Sequence, residues 1–344
     1  MINRTQEDVM KNWPKEWDKP MVSVRCLAYN HEKYIRETLD GFMMQETNFP
    51  FEVIVHDDAS TDRTVEIIRE YEAKFPKIIK PIYETENQFS KGNGTLRRIV
   101  NEACKGEYIA YCEGDDYWCD KYKLQRQFDA LNNHQGCTLC THVVQQVSEN
   151  GSILQQQHPQ KDLFNSEIIE QETFAEALIA KQSYPFQTSS FFLRASLIRE
   201  NNNFFDFPGN GDEKIMRLCL NYGKTYFINE VMSCYRIQSV GSWSYRCKKD
   251  KKIRLKSLSS LLELEEQFDK YSHYRFHNFI EISKRKTRIQ LLILTNRFKD
   301  LFLPEYKDFV KQYYSKKTFI KFYILSKLPF FVANRIMNFR RQLK

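Results

Sequence analysis

Over the first third of the chain, short apolar runs alternate with stretches whose apolar positions recur every three or four residues. Residues 21–29 form a β-rich run closed by Asn30, a good helix cap. Ile35, Leu39 and Phe42 then share one helical face. Residues 51–55 make a second apolar strand that stops at His56-Asp57-Asp58. Ser60 or Asp62 caps the next helix, which turns Val65, Ile68 and Tyr71 one way. Residues 77–83 read as a third strand, 88–94 as a loop with two glycines and Lys91, and 95–104 as a helix bearing Arg97 and Arg98. A fourth strand, 108–112, ends abruptly in Glu113-Gly114-Asp115-Asp116. This β-α-β-α-β-α-β order predicts an α/β fold, a mostly parallel sheet with helices on both faces.

The second half is less regular. Residues 121–132 read as a helix with Leu124, Phe128 and Leu131 inward, and 137–147 as a strand. Residues 158–170 are polar and read as a loop over the site; 173–180 read as helix and 187–194 as strand. A glycine-rich and proline-containing stretch precedes Asp212 and Glu213 at the start of a helix carrying Ile215, Leu218 and Leu220. Residues 224–237 alternate as a strand, with Tyr226, Ile228, Val231 and Tyr235 as its apolar positions. Helices follow over 252–270 and 276–297, and Pro329 splits the stretch 318–341 into two short helices.

Ligands of such sheets bind beyond the carboxyl ends of the strands. The first strand delivers Tyr29 and Asn30 to that rim, the second Asp57 and Asp58, the fourth Glu113, Asp115 and Asp116. Crowded carboxylates repel each other and call for a cation, and Mg²⁺ or Mn²⁺ takes carboxylate oxygens together with a substrate's phosphates. The plainer reading is an acidic turn that caps the following helix. No G-x-G-x-x-G follows the first strand and no G-x-x-x-x-G-K-[ST] occurs, which argues against a dinucleotide dehydrogenase and a P-loop NTPase.

Composition narrows the setting. Hydrophobic residues make up 42% and charged residues 28%, an ordinary globular balance. Nine scattered cysteines suggest a reducing, cytoplasmic compartment, and Cys137-x-x-Cys140 lacks the second pair of a zinc site. The polar first twenty residues do not read as a signal peptide, and no apolar run has the length of a membrane span. The net charge of +8 resides in residues 301–344, which hold ten Lys or Arg and two acids. This basic, aromatic end reads either as a contact with the inner membrane surface through 318–341 or as a helical cap on the protein or on a second subunit, making a homo-oligomer. Nucleic acid is not expected as a partner.

Four motifs in order carry a resemblance: Ser23-Val-Arg-Cys-Leu-Ala-Tyr-Asn30; Tyr34-Ile35 with Glu37; Glu52-Val-Ile-Val-His-Asp-Asp-Ala-Ser-Thr-Asp62; and Glu113-Gly-Asp-Asp-Tyr-Trp118 followed by Lys123-Leu-Gln-Arg-Gln127. Together they resemble the signatures of family 2 glycosyltransferases, in the branch of bacterial polysaccharide and capsule synthesis. The resemblance implies a GT-A fold over residues 21–243, preceded by an extension over 1–20 and followed by a helical region over 244–344. It implies a nucleotide-sugar donor, a UDP-sugar first, a divalent cation, and a saccharide or lipid-linked saccharide acceptor. By motif, Ala28, Tyr29 and Asn30 would line the nucleotide pocket, Asp57 or Asp58 would meet the base, and Asp116 would stand with the donor-binding acids. Asp115 would be the main metal ligand, with Glu113 standing where the family has an Asp. Lys91, Arg97 or Arg98 would help neutralise the diphosphate, or are simply solvated helix charges. Asp212 falls where the family places its general base, with Glu213 in reserve; helix capping is the bland reading. Gln238 occupies a position where relatives often carry His, and Trp243 either stacks on a sugar or packs in its loop. The Q-x-x-R-W signature of processive synthases is absent, so one sugar per encounter is expected. Two other classes stand beside this reading: a sugar nucleotidyltransferase, which would want a glycine- and lysine-bearing loop after the first strand, and a non-catalytic nucleotide-sugar-binding protein with a degenerate site.

Overall fold

The computed structural model describes residues 2–237, 250–329, 332 and 335. Gln238, Trp243 and the end of the basic tail lie outside the described residues. The chain divides into two units: residues 1–178 with 183–242, and residues 179–182 with 243–344.

In the larger unit the four predicted strands are present and pair in parallel: β1 (Val22–Ala28), β2 (Phe51–Asp57), β3 (Ile79–Tyr83) and β4 (Tyr108–Tyr111). Every residue of β2 is buried, as expected of a parallel strand covered on both faces. The helices between them are α2 (Ile35–Met43), α3 (Thr64–Lys74) and α4 (Thr95–Ala103), after a short α1 (Gln6–Met10) capped reciprocally by Thr5 and Asp8. The first two helices bury Ile35, Leu39, Phe42, Ile68 and Tyr71 against the sheet. Gly41 is there because a Cβ would come within 2.8 Å of the Trp118 carbonyl oxygen.

The rest of the sheet is mixed. It contains β5 (Tyr117–Trp118), β6 (Cys137–Val147), β7 (Ile153–His158), β8 (Ile168–Ile169), β9 (Phe192–Arg194) and β10 (Lys224–Arg236). The strand order is β3-β2-β1-β4-β9-β6-β10-β5, with β7 paired to β6 and β8 to β10. Strand β9 runs antiparallel to both β4 and β6, and β10 runs parallel to β6. Cys137 and Cys140 are packed in β6, as read, and none of the eight described cysteines is in a disulfide.

Several local expectations are corrected. The loop expected over 158–170 contains β8, and β7 just before it was not expected at all. Its Gln-rich sequence and exposed Ile153 carry little apolar pattern. The strand expected over 187–194 is a tight turn at Thr188–Ser190, then β9, then α7 (Ala195–Glu200). The helix expected over 173–180 starts earlier as α6 (Gln171–Ala175) and continues as a wider turn through Ala180. In β10 the register slips twice between Ile228 and Ser233. The simple alternation therefore fails: Val231 is 38% exposed while Met232 is buried.

Helices α5 (Lys123–Asn133) and α8 (Gly211–Tyr222) complete the larger unit. The smaller unit holds α9 (Lys251–Tyr271), α10 (His277–Leu294), α11 (Pro304–Tyr313) and α12 (Lys316–Lys327). Phe268 and Phe276 stack at 5.9 Å where α9 and α10 meet, and Phe309, Val310, Phe322 and Leu325 share a core with Ile289. Helix α11, with Pro304 in its first turn, was not expected from the apolar pattern.

One fully buried lysine lies against Trp118. Lys123 is fully buried, its Nζ donating to Gln127 Oε1 at 2.6 Å and lying 4.0 Å from the Trp118 ring centroid. Gln127 Nε2 donates in turn to the Ser190 carbonyl at 2.8 Å, tying α5 to the turn before β9. Burial pushes the Lys123 amine down to about 7 from 10.5. Between those values the unfolded chain binds a proton that the folded chain does not. Stability therefore rises with pH over that window and falls as pH drops towards 7. In urea unfolding at pH 7 and pH 9.5, the wild-type midpoint minus that of Lys123→Met is expected to grow with pH; an equal difference at both pH values would show that Lys123 folds charged.

Candidate active site

The end of β1 acts as the ruler for the rim. The Asp58 N–H donates to the Ala28 carbonyl at 2.9 Å, and the Gly114 N–H donates to the Leu27 carbonyl at 2.8 Å. Two acidic loops, one from each flanking strand, are thus fixed to adjacent residues of β1. The second contact requires glycine: a Cβ on Gly114 would lie 2.7 Å from His31 Nδ1 and 3.0 Å from the Leu27 oxygen. Thr38 of α2 reaches across and donates to the Asp116 carbonyl at 2.6 Å.

On the β2 side the loops are laced together. Asp57 accepts from the Ser60 N–H at 3.0 Å, and Asn30 Oδ1 accepts from the Thr61 N–H at 2.8 Å. The Asn30 N–H donates to Ser60 Oγ at 2.9 Å. Asp62 accepts from the Thr64 N–H at 2.9 Å just ahead of α3, but the N-cap residue of that helix is Arg63, so neither Ser60 nor Asp62 is the cap expected. Asp58 is 3% exposed and accepts from the Gln88 and Phe89 N–H groups at 2.7 and 3.0 Å. It ties the loop after β3 to the rim. Tyr29 and Phe89 stand exposed on these loops, at 47% and 61%.

On the β4 side, Glu113 lies 4.0 Å from Arg25 of β1. Burial pushes the Glu113 carboxyl up to about 7; Arg25 pulls the other way, and Asp115 and Asp212 add to the rise. Burial and the charges of Glu113, Asp115 and Asp116 likewise push up the Cys26 thiol beneath them. Asp212, in the first turn of α8, is therefore within electrostatic reach of the acidic loop although nearly a hundred residues separate them. The Tyr184 hydroxyl donates to Asp212 Oδ2, and the Glu213 N–H donates to Oδ1 at 2.8 Å. Burial raises the Asp212 carboxyl, opposed by those two donors and by Arg217.

Asp116 faces inward. It is 1% exposed and accepts from Gln187 Nε2 at 2.7 Å and from the Arg236 N–H at 2.9 Å. Lys91 pairs with Glu86 at 2.5 Å. Arg97 bonds Asn202 and Asp206 and lies 5.3 Å from the Phe205 ring, so it pins the turn before α8. The Asp212–Tyr184 bond had no signal in the sequence. Arg25 had one: a cation inside an apolar strand needs a buried partner.

Among the described residues, no group of three or more His, Cys, Asp or Glu side chains is arranged to hold a metal ion by itself. What the loop offers is Glu113 and Asp115 at one mouth. That donor set suits a hard divalent cation completed by a ligand's phosphates rather than an all-protein cage.

A curled, mostly parallel sheet flanked by helices, with an acidic rim at its strand ends, is the GT-A arrangement. The sequence profile for glycosyl transferase family 2 matches residues 23–200, just over half of the chain, and the chain belongs to that family. An uncharacterised Mycobacterium tuberculosis protein is 36% identical over 228 residues, 64% of this chain; the chain spans 60% of that relative's length. The poly(ribitol-phosphate) β-N-acetylglucosaminyltransferase TarS of Staphylococcus aureus is 29% identical over 191 residues, covering 53% of this chain and 29% of TarS. The crystal structure of TarS 1–349 with UDP-GlcNAc superposes with a TM-score of 0.51 at 18% identity, over 81% of this chain and 80% of that one. The mannosyltransferase PcManGT of Pyrobaculum calidifontis, solved with GDP-Man and Mn²⁺, gives 0.54 at 16% identity, over 94% and 90%. Both structural likenesses concern the fold.

Proposed function

We propose that this protein is a glycosyltransferase that moves one sugar per encounter from a nucleotide-diphosphate sugar to a saccharide acceptor, with inversion at the anomeric carbon, in the synthesis of a cell-surface polysaccharide such as a capsule. The observation that carries the reading is the shared electrostatic field of Glu113 and Asp115, from the loop after β4, and Asp212, from the first turn of α8. Tyr29 and the Asp57–Asp58 loop flank the nucleotide base, with Ala28 and Asn30 at its ribose side. A UDP-sugar is the first candidate, because TarS was solved with one, and the GDP-Man of PcManGT keeps GDP-sugars in view. Lys91 and Arg97 remain candidates for the diphosphate only if their present pairs open. Asp116 braces the loop from within and reaches the donor through it.

The chemistry follows from the carboxylates. Asp212 accepts the acceptor hydroxyl's proton as that oxygen bonds the anomeric carbon. The bond from that carbon to the diphosphate oxygen breaks on the opposite face, and the nucleoside diphosphate leaves with the electron pair. Glu213 is the reserve base. Glu113 and Asp115 would hold a Mn²⁺ or Mg²⁺, which when bound would supply charge neutralisation at the leaving group. Tyr184 keeps the Asp212 carboxylate ionised and oriented.

The membrane contact suggested by the tail has one described surface. On α12, Ile320, Tyr323 and Ile324 are 48%, 49% and 57% exposed, flanked by the exposed Lys316, Lys317 and Lys327. Apolar side chains ringed by lysines suit an anionic lipid surface at the cytoplasmic leaflet, where a lipid-linked acceptor would sit. No helix among the described residues is long and apolar enough to cross a membrane.

Three measurements check these points. Purified protein with Mn²⁺ and a panel of UDP-, GDP- and dTDP-sugars is expected to release the nucleoside diphosphate with one donor. Asp115→Ala should lower that rate by roughly 10²-fold or more; an Asp115→Ala protein as active as wild type sinks the assignment. Tyr184→Phe removes a donor to the ionised Asp212, so its pKa rises and the acidic limb of kcat/KM moves to higher pH. An unmoved limb would take the base role from Asp212. The full chain should sediment with phosphatidylglycerol vesicles and not with phosphatidylcholine ones, and Ile320→Ser/Ile324→Ser should stay in the supernatant; equal behaviour of the two vesicle types rejects the lipid surface.

A further inference from the structure

Arg236 ends β10 and is 3% exposed. An arginine so deep in a fold must be compensated, and its partners here are unusual in number and origin. Its backbone N–H donates to Asp116 Oδ1 at 2.9 Å, and its Nη1 donates to the Asp115 carbonyl at 2.6 Å. Its Nη2 donates to the carboxylate of Glu37, in the first turn of α2. The guanidinium carbon lies 5.0 Å from the Tyr34 ring centroid and 4.8 Å from that of Tyr117. One planar cation, held between two tyrosine rings, therefore joins β10, α2 and the acidic loop after β4. Its Nη1 contact with Asp115 is to the backbone oxygen.

This placement matters because the loop is under repulsion. Glu113, Asp115 and Asp116 lie on four consecutive residues, and two of them flank Gly114, which has no side chain with which to hold the turn. Without an internal anchor, like charges would splay the loop, and each carboxylate would have to be reoriented when a donor arrives. A fixed guanidinium on the backbone side removes that reorientation. Lysine could carry the charge but not the planar fork or the stack between rings.

We propose that Arg236 is a positioning residue for donor binding: its guanidinium, braced by Tyr34, Tyr117 and Glu37, fixes the Asp115 carbonyl and presets the direction in which Glu113 and Asp115 meet the donor's diphosphate and its cation. The proposal rests on the donor reading above and adds a residue to it that touches neither sugar nor base.

Calorimetry with UDP, GDP and dTDP plus Mn²⁺ on the full chain tests it, alongside thermal melting of every variant. Wild type is expected to bind one of the diphosphates. Arg236→Lys should weaken that binding roughly tenfold to a hundredfold. Glu37→Gln, at a carboxylate half open to solvent, should weaken it several-fold with little change in melting temperature, and should raise the donor KM more than it lowers kcat. A merely structural arginine would lower the melting temperature while leaving the affinity of the folded protein unchanged. Should Arg236→Lys fail to fold, Glu37→Gln alone decides. Wild-type binding with both variants unchanged overturns the assignment of Arg236 alone. No diphosphate binding by wild type overturns the donor reading, and this assignment with it.

Discussion

The structure depends on a close approach between the acidic loop and the end of β1. Carboxylates at the exit of a buried strand are expensive to desolvate and repel one another. Here the cost is distributed. Arg25 faces Glu113 from within the sheet, Gln187 and the Arg236 N–H satisfy Asp116, and the Gly114 N–H is spent on Leu27. The loop can come this near only because residue 114 lacks a Cβ. Two other site elements are placed relative to that contact: the Asp58 loop one residue further along β1, and α2 through Thr38 and Glu37.

The parallel half of the fold was legible because its strands are covered on both faces. Such strands appear as unbroken apolar runs, although the caps expected at Asn30 and at Ser60 or Asp62 are not where α2 and α3 start, whose N-cap residues are Tyr34 and Arg63. The rest of the sheet was legible only in part: β6 and β10 were expected with nearly the bounds found, whereas β7 and β8 were not. Strand β7 is polar and exposed, β8 is two residues long, and the double register slip in β10 cancels the alternation that identifies a half-buried strand. Helix α11 lacked a continuous apolar stripe and went unseen.

The acids at the rim were legible as candidates, whereas the neighbours that hold them were not. Three loops were expected to converge, and Glu113 and Asp212 do share one environment. The sequence could not say that Asp115 and Asp116 part company. Consecutive residues in a turn point different ways, and only Thr38, Gln187 and Arg236 decide which faces inward. Nor could it show that Asp58 binds the loop after β3, since hydrogen bonds from its carboxylate to the N–H groups of Gln88 and Phe89 leave no trace in residue type. Arg97 illustrates the converse. It stands in the right stretch for a diphosphate, yet Asp206 and the Phe205 ring hold it at the turn before α8.

That last arrangement has a consequence for how the site is assembled. Lys214 donates to the Phe205 and Phe207 carbonyls at 2.8 and 2.9 Å, from the same first turns of α8 that carry Asp212. Arg97 grips the other side of the same turn through Asn202 and Asp206. Two cations thus clamp residues 202–207, and burial lowers the pKa of both. Asp212 sits just beyond this clamp, with its own carboxylate answered by Tyr184 and a backbone N–H. A proton acceptor must be placed to a fraction of an ångström, and a first turn reached through a loop with two glycines would otherwise be the least rigid part of the rim. The cations in this region are therefore better understood as serving the acid at the start of α8 than as a surface waiting for phosphate.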